Sequence, residues 1–171
     1  MAILDQIANI ECFWDDEYKH LDYTVESFNN PLDTERWLKQ GYRCNFTGTM
    51  CDMRRPQPSW NDKFIKHFEG LGWKDVCTSY YRMDTCTILP LHQDTYKKYV
   101  DIFNLQGQEH TIRRAIVFLE DWSSGHYLEL KGKPVTDWRA GYTVIWAYDA
   151  PHMAANIGLI PRYTLQITGH V

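Results

Sequence analysis

The sequence changes texture at Val76-Cys77-Thr78-Ser79-Tyr80-Tyr81-Arg82-Met83, a run rich in β-branched and aromatic residues that reads as a strand. Further stretches of the same kind follow at 85–91, 112–119, 126–130, 142–148 and 162–168, broken by turn residues. Lys131-Gly132-Lys133-Pro134 and Arg139-Ala140-Gly141 read as tight connections among them. Upstream the pattern is helical. Asp33 is the expected cap of a short helix ending before Gly41. After the loop Met53-Arg54-Arg55-Pro56-Gln57-Pro58, Ser59 is the expected cap of a second helix, with Trp60, Phe64, Ile65, Phe68 and Leu71 at helical spacing. Helices first and then many short strands predict an α+β, mainly β chain whose strands form a sandwich or jelly roll.

At 171 residues the chain is long enough for one core and too short for two comfortable domains. It therefore reads as a single domain over 1–171, with a supporting helical region at 1–75 and the strand-rich core at 76–169. Aromatic residues make up 15%, which favours sheet. The formal charge of −4 gives no reason to bind nucleic acid or an anionic membrane. No apolar run approaches the ~20 residues of a membrane helix. Met1 to Ile10 lacks the basic start of a secretory signal, so a soluble, cytoplasmic protein is expected. Five cysteines without a CxxC suggest buried free thiols rather than a zinc knuckle. Asn45-Phe46-Thr47 matches a glycosylation sequon by chance on this reading.

A divalent iron that must bind oxygen needs three protein ligands on one side and open positions on the other, which two imidazoles and a carboxylate supply. In extended chain His92 and Asp94 of His92-Gln93-Asp94 point the same way. His67-Phe68-Glu69 has the right letters but falls in the second helix, where positions two apart diverge by about 200°. His20-Leu21-Asp22 lies outside the strand-rich half and has no complementary histidine and arginine. For the third ligand His152, close after a strand, stands ahead of His110 in a polar loop and His126 after a Ser-Ser-Gly turn. Arg162 follows His152 by ten residues, opens a strand, and has Thr164 on its own face. A guanidinium fork and a hydroxyl there suit a carboxylate. Taken alone, Arg162 would be a surface ion pair.

With His92, Asp94, His152, Arg162 and the stretch Arg162-Tyr163-Thr164 in this order, the sequence resembles the iron(II)- and 2-oxoglutarate-dependent oxygenase superfamily. The likeness spans roughly 76–169. It implies a double-stranded β-helix (a cupin-like jelly roll) with N-terminal helices on the major sheet. It implies Fe(II), 2-oxoglutarate and O2, with hydroxylation of an unactivated C–H bond and release of succinate and CO2. It also implies His92, Asp94 and His152 as catalytic metal ligands and Arg162, Thr164 and Tyr80 as cosubstrate contacts. Size and the Trp138-Arg139-Ala140-Gly141 turn are similar to prolyl-hydroxylase-like or aspartyl/asparaginyl-hydroxylase-like members. Collagen-type prolyl hydroxylases carry Lys at the Arg162 position, and many aspartyl hydroxylases lack the Asp94 carboxylate. Asp94 argues against halogenation.

Asn156 and Trp146 are candidates to steady the histidines, with core packing the simpler role for Trp146. The stretch 95–111 reads either as a substrate lid or as a surface connection. Arg113-Arg114 reads as solvated surface, or as a contact for an acidic substrate group. An amino acid, a peptidyl residue or a small metabolite all remain open as substrate. Two alternatives stand beside this reading: a cupin-like metal enzyme without 2-oxoglutarate, and a non-catalytic jelly-roll binding module.

Overall fold

The computed structural model describes residues 6–44 and 46–171. Met1 to Asp5 and Asn45 of the sequon lie outside them. Chain direction alternates between two sheets from residue 74 onward, and that alternation makes the fold. Strand β4 (Lys74–Met83) is in the major sheet, β5 (Thr87–His92) in the minor one, β6 (Ile112–Phe118) in the major one, and β7 (His126–Leu130) with β8 (Lys133–Val135) in the minor one. Then β9 (Tyr142–Ala147), β10 (His152–Asn156) and β11 (Arg162–His170) fall to the major, minor and major sheets. The result is a double-stranded β-helix, α+β and mainly β as expected.

The N-terminal region contributes more than helices. β1 (Gln6–Asn9) pairs antiparallel with β9, and β2 (Thr24–Ser27) and β3 (Thr47–Asp52) extend the major sheet beyond β4. The seven-stranded order is β1-β9-β6-β11-β4-β3-β2, against a minor sheet β5-β10-β7-β8. Helix α1 (Pro31–Lys39) is capped by Asn30, whose Oδ1 accepts from Leu32 N at 3.2 Å, not by Asp33. Asp33 instead pairs with Arg36 at 2.7 Å. Pro31 at the first helical position marked this start, because its missing N–H is one that a helix leaves unpaired anyway. Helix α2 (Asn61–Gly70) has no side-chain cap, since Ser59 Oγ donates to Glu17 instead, at 2.6 Å.

The two faces of the major sheet are filled differently. Phe64 and Phe68 of α2 pack with Val76, Tyr80, Ala115, Val117, Leu165 and Ile167 on the outer face. Between the sheets lie Ile116, Phe118, Leu128, Val144, Trp146 and Ala154. Period-two alternation puts consecutive residues of β6 on opposite faces. Helix α1 works at the rim, where Trp37 stacks against Phe28 and Phe46 and its Nε1 donates to Leu91 O at 3.2 Å. Gly141 (φ +88°) has to be glycine, because a Cβ there would stand 2.0 Å from Ile10 O. All five cysteines are free. Only Cys51 is buried, and Cys12 and Cys86 are exposed, which corrects the expectation of buried thiols. Among the described residues no helix is long and apolar enough to cross a membrane.

Candidate metal centre

His92 ends β5 and His152 opens β10, and the two are directly paired across that antiparallel ladder. Their ring centroids lie 4.3 Å apart. Each ring is oriented by its own chain. His92 Nδ1 donates to Pro90 O at 2.7 Å and His152 Nδ1 to Ala150 O at 3.0 Å. Because carbonyls only accept, each Nδ1 carries a proton, and the Nε2 atoms are the ones that face Asp94.

Asp94, in the extended segment after β5, completes the set. His92 Nε2 and His152 Nε2 each stand 3.9 Å from an Asp94 oxygen. Two atoms each bound about 2.1 Å from one ion can be at most about 4.2 Å apart, so these separations suit a shared cation. Among the described residues His92, Asp94 and His152 form the one group of three that could hold a metal. Burial, and then the neighbouring His152, push the His92 imidazole below its usual pKa, favouring the neutral ligand form. Burial would raise the Asp94 carboxyl, but Arg114 and the two imidazoles outweigh it and hold it down at about 2.

The rival positions are elsewhere. His67 lies on α2, His20 ends a 3-10 helix and His110 lies in another. Asp22 pairs with Arg55. His126 is buried on β7 with Nε2 donating to Ile160 O at 3.1 Å.

Arg162 and Thr164 are buried on the inner face of β11 and line the same cavity as the triad. This cavity measures about 570 Å³. Arg162 Nη1 donates to Tyr127 O at 2.7 Å, while its Nε is buried without a partner. Among the described residues no carboxylate pairs with it, and burial lowers its pKa to about 10. A buried guanidinium without a counter-charge is costly, and an anion entering the cavity would relieve that cost.

Tyr80 does not belong here. It faces α2 and its hydroxyl donates to Asn61 Oδ1 at 2.8 Å. The neighbouring Tyr81, opposite Thr164 in register, faces the cavity in its place. Burial pushes Tyr81 up to about 12. Asn156 also leaves the site, since its Nδ2 donates to Met83 O and Ile160 O, each at 2.8 Å. Trp146 packs 5.2 Å from the His152 ring within the core. Arg113 and Arg114 separate by strand phase. Arg113 donates to His110 O at 2.8 Å, while Arg114 turns inward to Asp94 Oδ2 at 3.3 Å and Gln166 Oε1 at 2.9 Å. Burial disfavours the Arg114 cation, but Tyr96 and Asp94 outweigh that and raise its pKa. Within 95–111 the chain forms α3 (Lys97–Phe103), and Lys98 and Ile102 border the cavity.

Comparison with solved structures places this architecture. A prolyl-4-hydroxylase from Pseudomonas putida superposes with a TM-score of 0.56 at 14% identity, over 91% of this chain and 95% of that one. The fold is a cupin-type jelly roll. A predicted oxalate decarboxylase from Thermotoga maritima matches with a TM-score of 0.49 at 11% identity, over 90% of this chain and 96% of that one. The Cnp3 cupin domain of Schizosaccharomyces pombe matches at 0.44 and 7% identity, over 72% of this chain and 65% of that one. No protein-family profile matches the sequence, and no curated protein does so.

Proposed function

We propose that this chain is an oxygenase that uses ferrous iron and 2-oxoglutarate to hydroxylate an unactivated C–H bond of an amino acid, a peptidyl residue or a small metabolite. The observation that carries this reading is the pairing, in one cavity, of the His92, Asp94 and His152 cluster with a buried Arg162 that has no counter-charge. A cupin-like metal enzyme without 2-oxoglutarate would need the cluster but not an uncompensated guanidinium, which burial makes costly.

Each residue has a defined task. The Nε2 atoms of His92 and His152 and the Asp94 carboxylate would hold the ion on one side and leave the cavity side open. Arg162, with Thr164 and Tyr81 beside it, would hold the far carboxylate of the cosubstrate, and the apolar wall around Leu128 and Ile116 keeps water from that ion pair. Iron and 2-oxoglutarate, when bound, would supply the oxidative decarboxylation of 2-oxoglutarate by O2 to succinate and CO2, with the second oxygen atom going into the substrate's C–H bond. The protein's contribution is placement.

An anaerobic titration tests the reading. Fe(II) followed by 2-oxoglutarate should give a weak visible charge-transfer band that His152→Ala abolishes. Arg162→Ala should weaken 2-oxoglutarate binding by about 10- to 100-fold, the loss of a charged, two-pronged contact. If Arg162→Ala binds 2-oxoglutarate as tightly as the parent chain, the anchor assignment is wrong; if the parent chain itself does not bind 2-oxoglutarate, the enzyme without 2-oxoglutarate takes its place. Succinate release against panels of amino acids and peptides then identifies the substrate.

A further inference from the structure

We propose that the cavity takes a small carboxylate-bearing substrate with an apolar body, its carboxylate meeting Arg114 beside Gln166 and Ser79; this rests on the function proposed above. Arg114 projects inward from β6, its side chain only 14% exposed. Its contacts to Asp94 Oδ2 at 3.3 Å and to the Tyr96 hydroxyl at 3.4 Å are longer than charged hydrogen bonds normally are, about 2.7–2.9 Å. The bland alternative is that Arg114 serves only as counter-ion to Asp94.

Charge balance decides against that. A carboxylate that ligates a dication cannot also neutralise a guanidinium, since one negative charge then faces three positive ones. A bound dicarboxylate balances Arg162 and reduces the charge at the metal, but one positive charge is still left over. Apart from Asp94, the carboxylates lining the cavity are Glu26 and Asp52. Glu26 and Asp52 at the mouth are both taken by Arg54, at 3.2 and 2.6 Å. Lys97 and Lys98 line the same cavity and add positive charge. Among the lining residues five cations therefore face three carboxylates, a surplus of two positive charges in a chain whose net charge is −4.

Polar partners stand ready beside Arg114. Gln166 holds Arg114 Nη1 at 2.9 Å and is paired in register with Ser79 on β4. The Ser79 Oγ is buried without a partner. The walls around this group, Met50, Tyr81, Tyr96 and Ile102, are aromatic or apolar. Gly48 allows Tyr81 to lie there, since a Cβ on Gly48 would stand 3.0 Å from the ring.

The test uses the whole, unmodified chain, loaded anaerobically with Fe(II) and 2-oxoglutarate. Acetate, butyrate, 4-methylvalerate and 3-phenylpropionate are titrated calorimetrically at low salt, each beside its primary amide. At least one acid should bind about tenfold or more tightly than its amide, the effect of one charged hydrogen-bonded contact. Arg114→Gln, loaded at saturating Fe(II) and 2-oxoglutarate, should bring that ratio to about one. Equal binding of every acid and its amide, or no binding of any acid, overturns the proposal even if Arg114→Gln fails to fold. If the parent chain binds 2-oxoglutarate and shows no preference for acids, this inference alone fails. If the parent does not bind 2-oxoglutarate, the proposed function fails with it.

Discussion

Arg114 and Arg162 stand on neighbouring strands of the major sheet and project into one cavity, yet they are treated in opposite ways. Arg114 touches a carboxylate, an amide oxygen, and the face and hydroxyl of Tyr96. Arg162 touches one carbonyl oxygen and leaves its Nε unmet. The first cation is part of the scaffold before any ligand arrives. The second is only half satisfied, and the fold bears that cost unless an anion relieves it. Their partners, more than their burial, separate a cation already held in place from one left with an unmet donor.

Stability measurements on the ligand-free chain put this contrast at risk. By chemical denaturation, Arg114→Met should cost about 3 kcal/mol, because Asp94 is left largely buried without its counter-charge. A loss below about 1 kcal/mol would mean that the pair contributes little to the scaffold. Arg162→Met should be neutral or stabilising by about 1–2 kcal/mol, since it removes a buried charge that has no partner. The parent should also gain about 2.7 kcal/mol from Fe(II) with 2-oxoglutarate at a hundred times its dissociation constant, and Arg162→Met far less at the same concentration. Destabilisation of Arg162→Met in the ligand-free state would show that the guanidinium is structural after all. Tyr80→Phe should cost about 1–2 kcal/mol by stranding Asn61 Oδ1, without altering 2-oxoglutarate affinity. Tyr81→Phe should leave stability nearly untouched and weaken 2-oxoglutarate binding, and the reverse outcome would swap the two faces of β4. The smallest effect belongs to Arg113→Gln, within about 0.5 kcal/mol of the parent, as for a surface position.

Much of the fold could be read from the sequence, because each β-rich stretch from 76 onward is bounded by turn residues. The order of His92, Asp94, His152 and Arg162 could be read as well, and the structure brings all four to one cavity. Strand phase could not be read. A strand with aromatic residues on both faces, as at Tyr80-Tyr81, gives no sign of which face will meet the helix and which the cavity. Arg113-Arg114 hid the same ambiguity, and only pairing with β11 turns Arg114 toward Asp94. β2 and β3 carry weak strand signals, because Thr24–Ser27 is four residues long with three of them exposed, and Thr47–Asp52 includes Gly48. The cap of α1 is Asn30, three residues before Asp33, and the pair Asn30-Pro31 is its signal in the sequence.

The two imidazoles share one local device, a ring N–H returned to the main-chain carbonyl two residues earlier. Those acceptors, at Pro90 and Ala150, belong to the main chain, which every amino acid supplies alike. Sequence drift around the centre can therefore change size, polarity and reach without disturbing the tautomer or the aim of either ring. Such a centre can be handed from one chemistry to another by altering the walls, because its compass is built into the backbone.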